Sequence, residues 1–130
     1  KAVSFLSINF VFVYGTLRKG EVNSYFLMNS EYIGVDSVSG FVMRDLGDYP
    51  MIFENNNQKS IVVIEIYKID NQTLQQLDNL EEYVEGDESS MYIRKIVFTV
   101  SGNKGYIYYG KDEFKYLSYN LIPAGDWLKR

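Results

Sequence analysis

Residues 61–69 read Ile-Val-Val-Ile-Glu-Ile-Tyr-Lys-Ile, and this run limits the fold more than any other part of the chain. β-Branched residues favour an extended backbone, and a near-continuous apolar run implies cover on both faces. A central strand over Ser60 to Ile69 is therefore predicted. Phe10-Val11-Phe12-Val13-Tyr14 has the same character and predicts a second strand covered on both faces, ending at Gly15.

Weaker signals place the remaining elements. From Glu21 to Ser30, the residues Val22, Tyr25, Phe26 and Met28 have rough helical spacing and predict one short helix. Glycines at 34, 40 and 47 and Pro50 divide residues 32–53 into short extended pieces, and polar residues 54–59 read as an exposed loop. Asp70 or Asn71 can cap a helix whose apolar stripe is Leu74, Leu77 and Leu80. Residues 86–90 read as a loop, and Met91 to Val100 as a strand. Ser101-Gly102-Asn103-Lys104-Gly105 is a hairpin turn returning through Tyr106-Ile107-Tyr108-Tyr109, and Trp127 can dock the C-terminal segment. Helices do not alternate regularly with strands, so about six strands and two helices point to the α+β class. At 130 residues the chain reads as one domain, 1–130.

Composition removes whole classes of chemistry. The chain has no Cys and no His, which excludes disulfides, zinc-finger spacing, thiol nucleophiles and imidazole acid-base chemistry. Proton transfer must then use a carboxylate, Lys or Tyr. A net charge of −4, without a basic run, argues against nucleic acid as a partner. No stretch has the length of a membrane span. The N-terminal run Lys1 to Val13 is interrupted by Ser4, Ser7 and Asn9 and lacks a small-x-small cleavage pattern, so it reads as structure and the protein as cytoplasmic.

Two features can carry chemistry. In Tyr14-Gly15-Thr16-Leu17-Arg18-Lys19-Gly20 a buried strand turns at glycine, leaving N–H groups without sheet partners and able to bind a carboxylate or an oxyanion. The same pattern also fits a tight turn with a basic surface tip. The second feature is the acidic set Asp78, Glu81, Glu82, Glu85, Asp87 and Glu88, most of which reads as a solvated helix end and loop rather than a metal site. Glu81 differs. At about 100° per residue from Leu74, Leu77 lies near 300°, Leu80 near 240°, Glu81 near 340° and Glu82 near 80°. Glu81 thus points with the leucines, where lost hydration would raise its pKa toward that of a general base, unless the helix frays or a cation such as Arg94 pairs with it.

The ordered set Tyr14-Gly15-Thr16-Leu17 with Gly20 and Asn23, Asp48-Tyr49-Pro50, Leu77-Asp78-x-Leu80-Glu81, Tyr92-x-Arg94 and Tyr106-x-Tyr108 resembles the γ-glutamylcyclotransferase superfamily. The AIG2-like, γ-glutamylamine cyclotransferase branch is the nearest in pattern, and the Gly125-Asp126-Trp127 tail resembles its bacterial members. The resemblance covers about residues 10–128. It implies a mixed β-barrel with flanking helices and a cavity beside the loop. Tyr14, Gly15, Thr16 and Leu17 would hold the γ-glutamyl group of a small molecule, and Glu81 would be the proton carrier. Tyr106 and Tyr108 would line the cavity, with no metal and no cofactor. Active relatives often have Gly after the glutamate, where this chain has Glu82, and the loop from Tyr83 to Ser90 is long. The implied activity is release of 5-oxoproline and a free amine from a γ-glutamyl amine or peptide. The alternative is a binding or regulatory domain that keeps the pocket without turnover.

Overall fold

The computed structural model describes residues 9–130. Of the N-terminal run discussed above, residues 1–8 lie outside the described residues. Seven strands follow in chain order: β1 (Asn9–Val13), β2 (Glu31–Ser39), β3 (Phe41–Asp45), β4 (Pro50–Glu54), β5 (Ile61–Ile69), β6 (Tyr92–Phe98) and β7 (Lys104–Gly110). One α-helix, α1 (Asn71–Leu80), lies between β5 and β6.

The two apolar runs lie side by side inside a five-stranded sheet of order β2-β5-β1-β7-β6. β1 is antiparallel to β5 and parallel to β7, so the sheet is mixed. Alternation along each strand divides the core. Phe12, Val62, Ile64, Ile66, Ile107 and Tyr109 face one way, where they meet Phe41, Met43 and Ile52 of the β3-β4 ribbon and Trp127. Val11, Val13, Tyr67, Ile69 and Tyr108 face the other way, under Leu17, Leu27, Leu74 and Leu77. Both runs are covered on both faces because the ribbon lies on one side and the helix and loop on the other.

The sheet curls until β2 meets the turn between β6 and β7. The Val100 N–H donates to the Ser37 carbonyl at 2.7 Å, and Ser101 Oγ and Asn103 Nδ2 donate to the Asp36 carboxylate. The expected α+β class with a curled, mixed sheet is therefore present, with seven strands, five in that sheet and two in the ribbon, instead of about six.

The helix expected over Glu21–Ser30 is instead a single 3-10 turn, Ser24–Leu27. Val22, Tyr25 and Met28 of the proposed stripe are exposed, and Leu27 alone of that turn is fully buried. A stripe without a surface to cover cannot hold a ten-residue helix, whose stability comes mostly from packing. α1 meets that condition: Leu74 and Leu77 are buried, and Asp70 caps it by accepting the Thr73 N–H at 2.8 Å.

Candidate active site

β1 delivers the chain to Tyr14, whose ring enters the core and whose hydroxyl donates to the Tyr108 carbonyl at 2.7 Å. Gly15 follows because Pro50 stands against it: a Cβ there would come within 2.7 Å of the proline ring. The loop then closes on itself. The Arg18 N–H donates to the Gly15 carbonyl, the Asn23 N–H to the Thr16 carbonyl, and Asn23 Nδ2 to Thr16 Oγ1 at 2.9 Å. Among the described residues, no backbone acceptor takes the N–H groups of Gly15, Thr16 and Leu17.

Arg18 corrects the reading of this loop as a basic surface tip, because it is only 3% exposed. Its guanidinium donates to Glu65 of β5 at 2.9 Å and to Asp126 at 2.7 Å, and Glu65 also accepts the Lys19 N–H at 2.7 Å. Gly125 sets Asp126 in place. It has φ of +63°, a Cβ there would overlap the Ile61 carbonyl, and its own carbonyl accepts the Val63 N–H. The Gly-Asp-Trp tail thus reaches the loop through one buried arginine.

α1 supplies the acid. Its C-terminus is a Schellman turn, in which the Tyr83 N–H bonds to the Asp78 carbonyl at 2.8 Å and the Glu82 N–H to that of Asn79 at 3.1 Å. Glu82 takes the left-handed residue of that turn, at φ of +53°. The helix does not fray at Leu80, and Glu81 keeps the direction of the leucine stripe. One turn back, Asp78 is not a solvated helix residue. It accepts Arg94 Nη1 and the Tyr108 hydroxyl, each at 2.6 Å. Arg94 lies against the rings of Tyr83 and Tyr106 at 5.1 and 4.7 Å. The cation that could have neutralised Glu81 is therefore taken by Asp78.

A cavity of about 860 Å³ joins these parts. Its wall includes Tyr14, Gly15, Thr16, Leu17, Glu81 and Tyr108, together with Asp48-Tyr49-Pro50, Tyr92 and the loop after Tyr83. Tyr106 does not line it. One pleat repeat along β7 places that ring beside Arg94, where it packs instead of facing a ligand. Burial pushes the Glu81 carboxyl up from 4.5 to about 7. Burial also raises Tyr14, Tyr92 and Tyr108 far above their ordinary value, with the Glu81 carboxylate adding to each shift. Those phenols stay protonated, and Glu81 is the wall group that burial brings to neutrality. No group of three or more metal-ligating side chains occurs among the described residues.

The family described as gamma-glutamyl cyclotransferase, AIG2-like, matches residues 11–129, which hold the loop, the cavity and the tail. The chain belongs to that family. It is 35% identical over 122 residues to the γ-glutamylcyclotransferase family protein YtfP of Escherichia coli, covering 92% of this chain and 96% of the relative. The solution structure of Escherichia coli ytfP superposes with a TM-score of 0.66 at 32% identity, over 93% of this chain and 97% of that one. A protein of Niallia circulans named gamma-L-glutamyl-butirosin B gamma-glutamyl cyclotransferase is 33% identical over 86 residues, 65% of this chain and 53% of the relative. An AIG2-like protein of Mus musculus shares the fold, with a TM-score of 0.68 at 22% identity over 87% of this chain and 86% of that one.

Sequence reasoning about this cyclotransferase-family chain missed the partners of Arg18 and Asp78. A signal was present for the first: Glu65 is the one acid in the central strand and lies between Ile64 and Ile66 in its apolar run, and a buried carboxylate requires a cation. For Asp78, grouped in the sequence with the solvated acids of the helix end, the cation comes from β6, which the local sequence does not indicate.

Proposed function

We propose that this chain is a γ-glutamylcyclotransferase with Glu81 as general base and then general acid. The observation that carries the reading is an unpaired, desolvated carboxyl in the same cavity as a loop with free N–H groups. A relative named for γ-glutamyl cyclotransfer on a γ-glutamyl compound supports the reaction class.

In this reading the loop N–H groups at residues 15–17 take the substrate's α-carboxylate or the developing oxyanion, and the α-ammonium faces Glu81. The Glu81 carboxylate removes one proton from the ammonium. The freed amine attacks the γ-carbonyl, closing a five-membered ring, and the carbonyl oxygen takes the negative charge. The intermediate collapses as Glu81 returns its proton to the leaving nitrogen and the C–N bond breaks; the regenerated carboxylate then takes the second proton from the ring nitrogen and passes it to the released amine, which departs as an ammonium. The products are 5-oxoproline and a free amine, and the step needs no oxidant, reductant or cofactor. Holding amine and carbonyl in contact makes the attack intramolecular, worth several kcal/mol. A base near neutrality is ionised often enough to accept the proton and acidic enough to return it.

Incubation with a panel of γ-glutamyl amines and peptides, assayed for 5-oxoproline, tests the proposal. Wild type should release 5-oxoproline, and Glu81→Gln should lower kcat by about 10²- to 10⁴-fold while still binding substrate. Equal turnover by the two proteins removes Glu81 from the mechanism. Binding of the panel by calorimetry without any 5-oxoproline assigns the cavity to a non-catalytic binding domain.

A further inference from the structure

Asp78 is needed at one point of the site and unfavourable at another. Its Oδ1 accepts the Tyr108 hydroxyl at 2.6 Å, and the Tyr108 carbonyl in turn accepts the Tyr14 hydroxyl at 2.7 Å. α1 is thereby tied through β7 to the start of the loop. The same carboxylate lies three residues before Glu81, a helical spacing that brings Cβ atoms to about 5–6 Å, and both acids line the cavity. A second negative charge that close, away from water, would oppose ionisation of Glu81.

Arg94 removes that conflict. Its Nη1 donates to Asp78 Oδ2 at 2.6 Å, and the two side chains are mostly buried together. The rings of Tyr83 and Tyr106 flank the guanidinium and hold it in place. Stability does not account for this arrangement. Buried ion pairs are often no more stable than apolar side chains of similar volume. The Arg94 Nε–H is also buried with no acceptor among the described residues, which adds a cost. The pairing does match the state of Glu81, whose carboxyl is raised by burial with no like charge adding to it.

The other groups around Glu81 leave Asp78 as the neighbour that matters. Tyr14 of the loop, Tyr92 of β6 and Tyr108 of β7 are held protonated and carry no charge. The β3-β4 turn contributes Asp48 and Tyr49, and the segment after the helix contributes Glu82, Tyr83 and Asp87. The three acids among these are exposed, so water screens them. No Lys or Arg among the described residues lines the cavity. We propose that Arg94 is a positioning residue for the proton carrier: it holds Asp78 as a neutral pair, so that a carboxylate can anchor α1 without placing a like charge beside Glu81. The role belongs to the cyclotransferase reading above, whereas the charge relation can be measured without turnover.

Carboxyl carbon NMR of the full chain, with the Glu81 resonance assigned through Glu81→Gln, reads the titration midpoint in each variant. Arg94→Gln leaves Asp78 without its cation and should raise the Glu81 midpoint by about 1–2 on the pH scale. Asp78→Asn keeps an oxygen for the Tyr108 hydroxyl but leaves the guanidinium unpaired, and should lower the midpoint. The double variant should return it close to wild type, and Arg94→Lys, which keeps the charge, should stay there. The acidic limb of the kcat/KM profile should move with each midpoint. Loosened packing cannot give opposite signs in the two single variants. Shifts of one sign in both, midpoints that stay at the wild-type value, or a double variant that keeps either shift overturn the proposal. Should Arg94→Gln not fold, Asp78→Asn decides alone: a lowered midpoint upholds the role, and an unchanged or raised one overturns it. Release of no 5-oxoproline by wild type defeats the cyclotransferase reading instead, while the midpoints still decide the role of Arg94.

Discussion

Glu81 and Glu82 are adjacent acids placed under opposite constraints, one desolvated in the cavity and the other strained at the helix end. A carboxyl whose pKa rises from 4.5 to about 7 on folding favours the native state while protonated. That stability is fully present below about pH 4.5 and is lost as pH rises through about 7. Glu81→Gln cannot ionise, so urea melts should show it gaining on wild type as pH rises, by up to about 3 kcal/mol at pH 8. An advantage that does not change with pH contradicts the burial of this acid. Glu82 has the reverse sign of interest. A non-glycine residue in the left-handed region costs on the order of 1–2 kcal/mol, so Glu82→Gly should raise the melting temperature by a few degrees despite the greater freedom of glycine when unfolded. The direction of Glu81 was legible from helical angles alone. The freedom of Glu81 from a cation was not, because it depends on Arg94 reaching Asp78 from another element.

Between elements, the loop, β5 and the tail are joined through the Arg18 ion cluster. One cation lies between two carboxylates, so the partners are not equivalent. Arg18→Met leaves Glu65 and Asp126 buried together without a cation and should cost on the order of 3–5 kcal/mol, whereas Asp126→Asn leaves a balanced Arg18–Glu65 pair and should cost about 1–2 kcal/mol. Denaturant midpoints of the two variants test that order, and equal costs contradict it. Elements with a two-sided or one-sided apolar pattern, β1, β5 and α1, were legible because pattern and packing agree. Residues 21–30 were not, because helical spacing was present without a surface for the stripe to cover.

At the scale of the molecule, the mixed sheet carries its ribbon on one face and its helix and loop on the other, and the cavity opens where loop, ribbon turn and helix end converge. Class was legible from the order of strands and helices. The meeting of β2 with the β6-β7 hairpin was not, since Asp36, Ser37 and Val100 are distant in sequence and unremarkable in type. Trp127 is buried against the inner face of the sheet, so its fluorescence reports the core directly. Fluorescence and far-UV circular dichroism should give one coincident urea transition, as a single cooperative domain requires, and two separated transitions contradict that organisation. The proposed chemistry depends on the ionisation of one glutamate in the cavity. Carboxyl carbon NMR of glutamate-labelled protein, titrated from about pH 4 to 9 and assigned with Glu81→Gln, measures it most directly. A Glu81 resonance titrating at about 7 is expected; a midpoint near 4.5, where exposed glutamates titrate, contradicts a buried proton carrier in the cavity.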